Sequence, residues 1–476
     1  MKLTSEQQAI LDRPPTSTIK VAAGAGCGKT STLIEYGRRW PARGLYLAFN
    51  KSIADEARRK FPASIETRTA HSFAYRALDI GKRGNLVPRF RFEHLHDYDD
   101  MIGSVPGMTD GQVRGAILRT LENFLIDAGT KLHPDHCPLD DVTKRNAVRR
   151  MVQAIAGKLL RFKKHDLPIT HDTYLKAFEL WNRIDDGFEY LLLDEAQDLN
   201  PVLVSIANKA RLPTIVAGDT YQSIYRFRGA VDAMEQFDVD ELPLSQSWRF
   251  GPAVADLANR ILSHHSKPPR HSLRGNPDRP TEILRYSGRA PMGQGTAILA
   301  RTNARLFESL SKIDRPFHLV GGLQDLERQL LSAYALQSRR LSGVVDASVA
   351  RFTSWRAFDD AAERGDPDAR RLRDIVEKHG SELPDLLHRL NGLHRANEQD
   401  AQIIVSTAHK AKGREFENVI VLEDFELPSE LAKRRVRDRS KGDETDQMIN
   451  LLYVACTRAT TRLYLSDRLF DGLGQG

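Results

Sequence analysis

Cysteine is scarce in this chain: there are three, Cys27, Cys137 and Cys456. They have no zinc-site spacing and form no even framework, which excludes a disulfide-stapled scaffold and a structural zinc module. Cys27 and Cys456 sit among small and apolar residues and read as packing groups. A reducing compartment suits them, either the cytoplasm (close to the nucleoid) or a nucleus. Long hydrophobic runs are missing too. Nothing approaches the ~20 apolar residues of a bilayer crossing and no secretory signal is read at the start, so no membrane contact is expected. Repeats, heptad arrays and low-complexity blocks are also absent, which excludes solenoids and coiled coils. Charge is only mildly one-sided: 70 Lys and Arg against 63 Asp and Glu give +7, with a sequence pI near 9.2. A surplus of this size fits a polyanion partner and fits a basic protein without one equally well.

What is present is globular. The 476 residues allow about three domains, and 41% hydrophobic with 28% charged residues is the balance of a chain that buries real cores. Ile19 to Ala22 is a short apolar run followed by Ala23-Gly24-Ala25-Gly26-Cys27-Gly28-Lys29-Thr30 and then a helix-like stretch. Strand, glycine-rich turn and helix start are the layout of a phosphate-binding P-loop. Glycines let backbone N–H groups crowd round phosphate oxygens, and the helix N-terminus adds its positive end. Lys29 can reach the β- and γ-phosphates, while Thr30, followed by Ser31, can place its hydroxyl on Mg²⁺. Ala23 stands where a first glycine is usual, and its methyl group is small enough to cost no binding. Farther on, Leu191-Leu192-Leu193-Asp194-Glu195 is an apolar strand ending in two acids. Asp194 at a strand tip is suited to hold Mg²⁺, and Glu195 to orient and deprotonate an attacking water. ATP and Mg²⁺ are the expected cofactors, with hydrolysis favoured over phosphoryl transfer to a second substrate.

Strand-like runs recur at Leu45–Phe49, Tyr190–Leu193, Thr214–Ala217, Ala297–Ala300, Ile403–Ser406 and Val419–Leu422. Val-, Ile- and Leu-rich runs alternating with helices predict parallel sheets covered on both faces, an α/β class. A connector rich in Pro, Arg and Ser, Ser266–Pro280, precedes the second group of runs, so two α/β domains in tandem are expected. Residues 79–185 and 323–400 are helical in pattern and read as insertions carried by those domains.

The box Asp194-Glu195-Ala196-Gln197-Asp198 resembles motif II of superfamily 1 DNA helicases of the UvrD/Rep-like branch, and further motifs follow in order. Leu3-Thr4-Ser5-Glu6-Gln7-Gln8 resembles the Q motif, which implies that Gln7 reads the adenine edge. Ala48-Phe49-Asn50-Lys51 and Thr69-Ala70-His71-Ser72-Phe73 resemble motif Ia and the strand-contacting segment after it. The run from Gly218-Asp219-Thr220-Tyr221-Gln222 to Arg228-Gly229-Ala230 resembles motif III. Ser245-Gln246-Ser247-Trp248-Arg249 resembles motif IV, and Ala297 to Asn303 the segment after it. Thr407 to Phe416 resembles motif V and Leu452 to Ala459 motif VI. Details such as Ser247-Trp248-Arg249-Phe250-Gly251 are similar to the helicase part of the F-box DNA helicases.

The resemblance implies two tandem RecA-like P-loop domains with parallel sheets, each carrying a mostly helical insertion. The first would be 1–78 with 186–265 and insertion 79–185. The second would be 266–322 with 401–476 and a reduced insertion 323–400. It implies ATP between the two domains, with Arg249 and Arg458 on the γ-phosphate, Gln222 sensing it, Trp248 stacking on adenine and Glu415 meeting the ribose. DNA-contact roles would fall to Asn50, Lys51, His71, Phe73, Tyr225, Phe227, Arg228 and His409. The implied activity is an ATP-dependent helicase or translocase moving 3′-to-5′ on single-stranded DNA and opening 3′-tailed duplex, in repair, recombination or replication. The alternative is a DNA-stimulated ATPase that remodels protein–DNA complexes or is the helicase-like subunit of an anti-phage defence system. A nuclease or a recombinase is the expected class of protein partner.

Overall fold

The computed structural model describes the chain except residues 1–2, 49–50, 83–84, 162–167, 185–186, 225–232, 289–292, 364–365, 439, 441 and 475–476. Its strands run β1 (Ile19–Ala23), β2 (Gly44–Ala48), β3 (Ile65–Thr69), β4 (Asn85–Leu86), β5 (Pro168–Ile169), β6 (Tyr190–Leu193), β7 (Thr214–Gly218) and β8 (Glu241–Leu244). They continue with β9 (Glu282–Tyr286), β10 (Thr296–Ala300), β11 (Phe317–Leu319), β12 (Ile403–Thr407), β13 (Phe416–Val421) and β14 (Ala459–Ser466). Two six-stranded sheets result, ordered β3-β2-β6-β7-β1-β8 and β11-β12-β10-β13-β14-β9. Every neighbouring pair in both is parallel, as the sequence pattern predicts. Strands β2, β6, β7, β10 and β12 are buried along their whole length, which is why they read as unbroken apolar runs.

Strands β3 and β8 escape that pattern. β3 (Ile-Glu-Thr-Arg-Thr) and β8 (Glu-Leu-Pro-Leu) flank the first sheet, where one side needs no partner and Pro243 costs no ladder hydrogen bond.

The chain divides into two units. One comprises Met1–Ala23 and Gly28–Leu244; the other comprises Gly24–Cys27 and Ser245–Gly476. The division falls at Leu244/Ser245, where the sequence reading changes domain at 265/266. The helix Pro252–Leu262 packs on the helices Gly442–Cys456 and Asp467–Gly474, so this stretch belongs with the second unit.

In the first unit the helices Asp110–Ile126, Val142–Leu159 and His171–Trp181 fall between β3 and β6, in the expected insertion. Their apolar faces share one core with β2 and β6, through Leu45, Leu47, Leu121, Val152, Phe178 and Leu191. In the second unit the helices between β11 and β12 join the sheet in the same way. Leu330, Phe358, Val376 and Leu387 lie in one cluster with Ile298, Ala300 and Val405. The short second insertion is therefore part of the sheet's own core. Among the described residues no helix is long and apolar enough to cross a membrane.

Candidate active site

Parallel register puts the ends of β1, β6 and β7 at one edge of the first sheet: Ala22 pairs with Gly218, and Leu193 with Val216. Whatever follows those strands shares that edge, the usual place for a ligand in such a sheet. The P-loop follows β1, Asp194-Glu195 follows β6, and Asp219 to Gln222 follows β7.

Gly28 takes φ +77° and caps the helix Lys29–Arg39, and Gly26 takes φ +71°. At Gly26 a side chain would also collide, since a Cβ would lie 2.7 Å from Arg249 Cβ and from Ser247 Oγ. Lys29 is buried, with Nζ 3.6 Å from Glu195 Oε1. Thr30 Oγ1 donates to Asp194 Oδ2 at 2.6 Å. The same carboxylate accepts from the Tyr46 hydroxyl at 3.0 Å, and its Oδ1 from Glu195 N–H at 2.9 Å. Asp194 is almost fully enclosed; burial, and then the neighbouring Glu195, push its pKa up. A buried carboxylate beside a hydroxyl and an ammonium fits a hard divalent cation that keeps waters and substrate oxygens as its other ligands. The donor set therefore fits Mg²⁺ on a nucleotide, with Thr30 and Asp194 as the protein's share. Among the described residues no group of three His, Cys, Asp or Glu offers a metal site made by protein alone.

Glu195 adopts φ 51°, ψ 42°, a left-handed conformation that costs a non-glycine residue on the order of 1 kcal/mol and gathers at functional positions. A run of hydrogen bonds leads from it into the interior. Gln197 Nε2 donates to Glu195 Oε2 at 2.5 Å, and Asp219 N–H donates to Gln197 Oε1 at 2.9 Å. Gln222 Nε2 then donates to Asp219 Oδ2 at 2.7 Å. Gln197 is fully buried, and Gly218 makes room for it: a Cβ there would lie 2.9 Å from Gln197 Oε1. Sequence reading found Asp194, Glu195 and Gln222 but missed Tyr46, which holds Asp194, and Gln197 and Asp219, which hold the other two. The one available signal was a tyrosine and a glutamine inside otherwise apolar or acidic motif positions.

Other expected groups lie in the second unit. Arg249 donates from Nη1 to Thr457 O at 3.1 Å and pairs with Glu415 at 3.1 Å. Its Nε, and Trp248 Nε1, are buried donors without a hydrogen-bond partner among the described residues. Orphaned donors of this kind fit an acceptor-rich ligand. Arg458 is enclosed, at 1% exposure, and gives its guanidinium to Val454 O, Arg414 O and Thr457 Oγ1. Ala25 N–H donates to the Tyr453 hydroxyl at 2.9 Å, a contact no motif reading anticipated.

Gln7 is tied down but keeps hydrogen-bonding capacity, whereas the expectation for Phe73 is corrected. Gln7 has both ends of its amide in use: Oε1 accepts from Thr4 N–H at 3.0 Å, and Nε2 donates to Thr32 Oγ1 at 3.0 Å. At 1% exposure it closes a capping box and ties the helix Ser5–Leu11 to the P-loop helix, with one amide N–H and one oxygen lone pair still unspent. Phe73 is 5% exposed and lies in the first unit's core, edge-on to Phe178 at 5.7 Å. Thr69 caps the helix Ala70–Ala77, and helical spacing turns Ala70, Phe73 and Ala74 inward together. A ring so enclosed has no face for a base.

His71 stays half-buried, and desolvation together with the nearby His171 lowers its pKa to about 4, so it is neutral at pH 7. Lys51 is exposed at the start of its helix, and His409 is partly exposed in the helix Ala408–Ala411. Asn50, Tyr225, Phe227 and Arg228 lie outside the described residues.

Comparison with known proteins agrees with this geometry. The UvrD/REP helicase N-terminal domain model matches residues 3–240, and the UvrD-like helicase C-terminal domain model matches residues 353–468. The chain belongs to the UvrD/Rep helicase family. Within that family it is 29% identical to chicken (Gallus gallus) F-box DNA helicase 1, over 98% of this chain and 49% of that protein. It is also 29% identical to the F-box DNA helicase protein 1 of Schizosaccharomyces pombe, over 98% of this chain and 58% of the relative. Identity to the ATP-dependent DNA helicase UvrD2 of Mycobacterium tuberculosis is 25%, over 97% of this chain and 78% of the relative. This UvrD/Rep family chain thus spans about half the length of the F-box helicases it matches. Two RecA-like domains are the architecture of both matched models and both sheets.

Proposed function

We propose that this chain is an ATP-driven motor that moves 3′-to-5′ along single-stranded DNA and opens 3′-tailed duplex, serving repair, recombination or replication. The observation that carries the ATPase is the Thr30–Asp194 pair beside Lys29 and Glu195, braced through Gln197 and Asp219 to Gln222. Family membership, with F-box and UvrD2 DNA helicases among the relatives, supports the DNA track, and the direction is carried by the motif resemblance alone.

When magnesium is bound, it supplies charge neutralisation on the phosphates, held from the protein by Thr30 and Asp194. The chain's own groups do the rest. Gly24, Ala25, Gly26, Cys27 and Gly28 present backbone N–H groups, with Ala23 and Ser31 bounding the loop. Lys29 steadies the terminal phosphates. Glu195, turned by its left-handed backbone, orients the water and takes its proton. Arg249 and Arg458 stabilise transition-state charge, an effect typically worth ~10³–10⁵ in rate. Trp248 and Glu415 hold base and ribose. Glu415 also pairs with Arg249, so ribose capture and arginine release are coupled. Lys51, His71 and His409 bear on the DNA backbone, as do Asn50, Tyr225, Phe227 and Arg228 in the same reading. His71 does so as a neutral hydrogen-bonding group.

The test is ATPase measured with and without single-stranded DNA, alongside strand displacement on duplexes tailed at 3′ or at 5′. Stimulation by the strand with opening of the 3′-tailed duplex alone is expected. Stimulation without opening would favour a remodelling ATPase or a defence-system subunit working beside a nuclease. Turnover indifferent to DNA would end the motor reading.

A further inference from the structure

The helical insertion of the first unit holds a cavity of about 610 Å³, none of whose lining residues belongs to a nucleotide motif. Its wall comprises the loop Thr130–Pro134, one side of the helix Val142–Leu159, and Leu180 with Trp181 at the end of the helix His171–Trp181. Its size lies within the range of small-ligand sites. Phe124, Leu132, Ala156, Leu160 and Leu180 give it an apolar body.

Three features mark it as more than a gap. Trp181 is 56% exposed, on a helix whose residues 173–179 are buried. Leaving a large ring half in water forgoes burial it would otherwise gain. The lining carries Lys131, Arg149 and His133 and no acid. Arg149 gives one hydrogen bond to Leu132 O and one to Asn146 Oδ1, at 3.3 Å, while its buried Nε has no hydrogen-bond partner among the described residues. The shape is also fixed from behind. Fully buried Lys176 donates to Asp127 O at 2.5 Å and Gly129 O at 2.6 Å, and pairs with fully buried Glu179 at 3.2 Å. Asp127 and His136 meet at 2.8 Å and brace the same loop. Two charges taken out of water hold one loop in place, a costly arrangement that a mere surface turn does not need.

We propose that this cavity takes an unpaired nucleobase of a DNA strand, stacked on Trp181, with the flanking phosphates on Lys131 and Arg149. The inference rests on the DNA-motor reading and adds to it a binding site in a region to which no motif assigns one. An aromatic face beside cations without acids matches base plus phosphate, the standard chemistry of single-strand platforms. Continuity supports it as well. At its first turn the helix ending in Trp181 carries His171 and Tyr174, whose rings lie 6.0 and 6.1 Å from that of His71, an expected strand-contact residue. The two regions are ends of one rigid rod.

The experiment is fluorescence anisotropy of labelled oligothymidylate with the full chain, as wild type, Trp181→Ala, Trp181→Phe and Lys131→Ala, each checked by circular dichroism and thermal melting. Trp181→Ala is expected to weaken binding about tenfold at unchanged melting temperature, and Trp181→Phe to restore most of it. Lys131→Ala should lower the slope of log affinity against log salt by about one. An oligomer of abasic sites should bind wild type and Trp181→Ala alike. Wild-type affinity in Trp181→Ala would overturn the site, and so would a loss that comes with a lowered melting temperature and that phenylalanine does not rescue. Unchanged DNA binding with lost capture of an acidic aromatic peptide would also overturn it, and would assign the cavity to a protein partner. Failure of the wild type to bind any strand would instead strike the underlying motor reading.

Discussion

The two units treat their charged groups in opposite ways. In the first, Lys29, Thr30, Asp194, Glu195 and Gln222 hang from the ends of adjacent strands and are ion-paired or hydrogen-bonded to one another or to Gln197 and Asp219. In the second, Arg458 is enclosed and bound to backbone carbonyls, while Arg249 shares itself between Thr457 O and the exposed Glu415. The groups of the first site are held in place by one another, and fixed polar groups of this kind are where electrostatic catalysis gains most. The second keeps one arginine as part of its own packing and leaves the other on a contact that a ribose could take over.

The largest effects should separate these roles. Arg249→Ala is expected to lower the ATPase rate by about a thousandfold or more with melting temperature little changed, read by phosphate release and calorimetry. Arg458→Ala should also lose activity but, unlike Arg249→Ala, should lower the unfolding free energy by about 1–3 kcal/mol, because buried carbonyls lose their donor. Equal melting temperatures for the two variants would erase the distinction.

Next comes Glu195→Gln, expected to cut turnover by about 10²–10⁴ while nucleotide binding persists, as judged by a fluorescent nucleotide analogue. Gln197→Leu should follow, at roughly ten- to a hundredfold in kcat with KM nearly constant, since a hydrogen bond to a charged group is lost and Glu195 becomes free to wander. If Gln197→Leu were silent, the bracing of the first site would carry no catalytic weight. The smallest effect concerns acid. His71 has its pKa lowered to about 4 against an ordinary value near 6.5. The unfolded chain therefore binds the extra proton first, and stability is lost as pH falls from about 6.5 towards 4. Chemical denaturation across that window should show a slope that His71→Asn removes.

Legibility in the sequence followed contiguity. The P-loop and the Asp194-Glu195 box could be read because each sits in one stretch whose spacing is the chemistry. The fully buried strands β2, β6, β7, β10 and β12 could be read because both faces demand apolar side chains. β3 and β8 could not, because an edge strand tolerates Glu, Thr, Arg and Pro. Phe73 was misread because a motif gives residue order but not the helical face on which a ring lies. Gln197 and Asp219 are twenty-two residues apart and meet only because β6 and β7 are neighbours in the sheet.

By itself, then, the amino-acid order determined the two parallel sheets, the phosphate loop and the acids that follow a buried strand, because local apolar runs and short motifs set those directly. Only the tertiary structure decided which polar groups brace the acids, which aromatic rings are core, and that a cationic, tryptophan-edged cavity stands in the helical insertion. Those outcomes depend on strand adjacency and helix facing, which are fixed by what the whole core must bury and are written in no single segment.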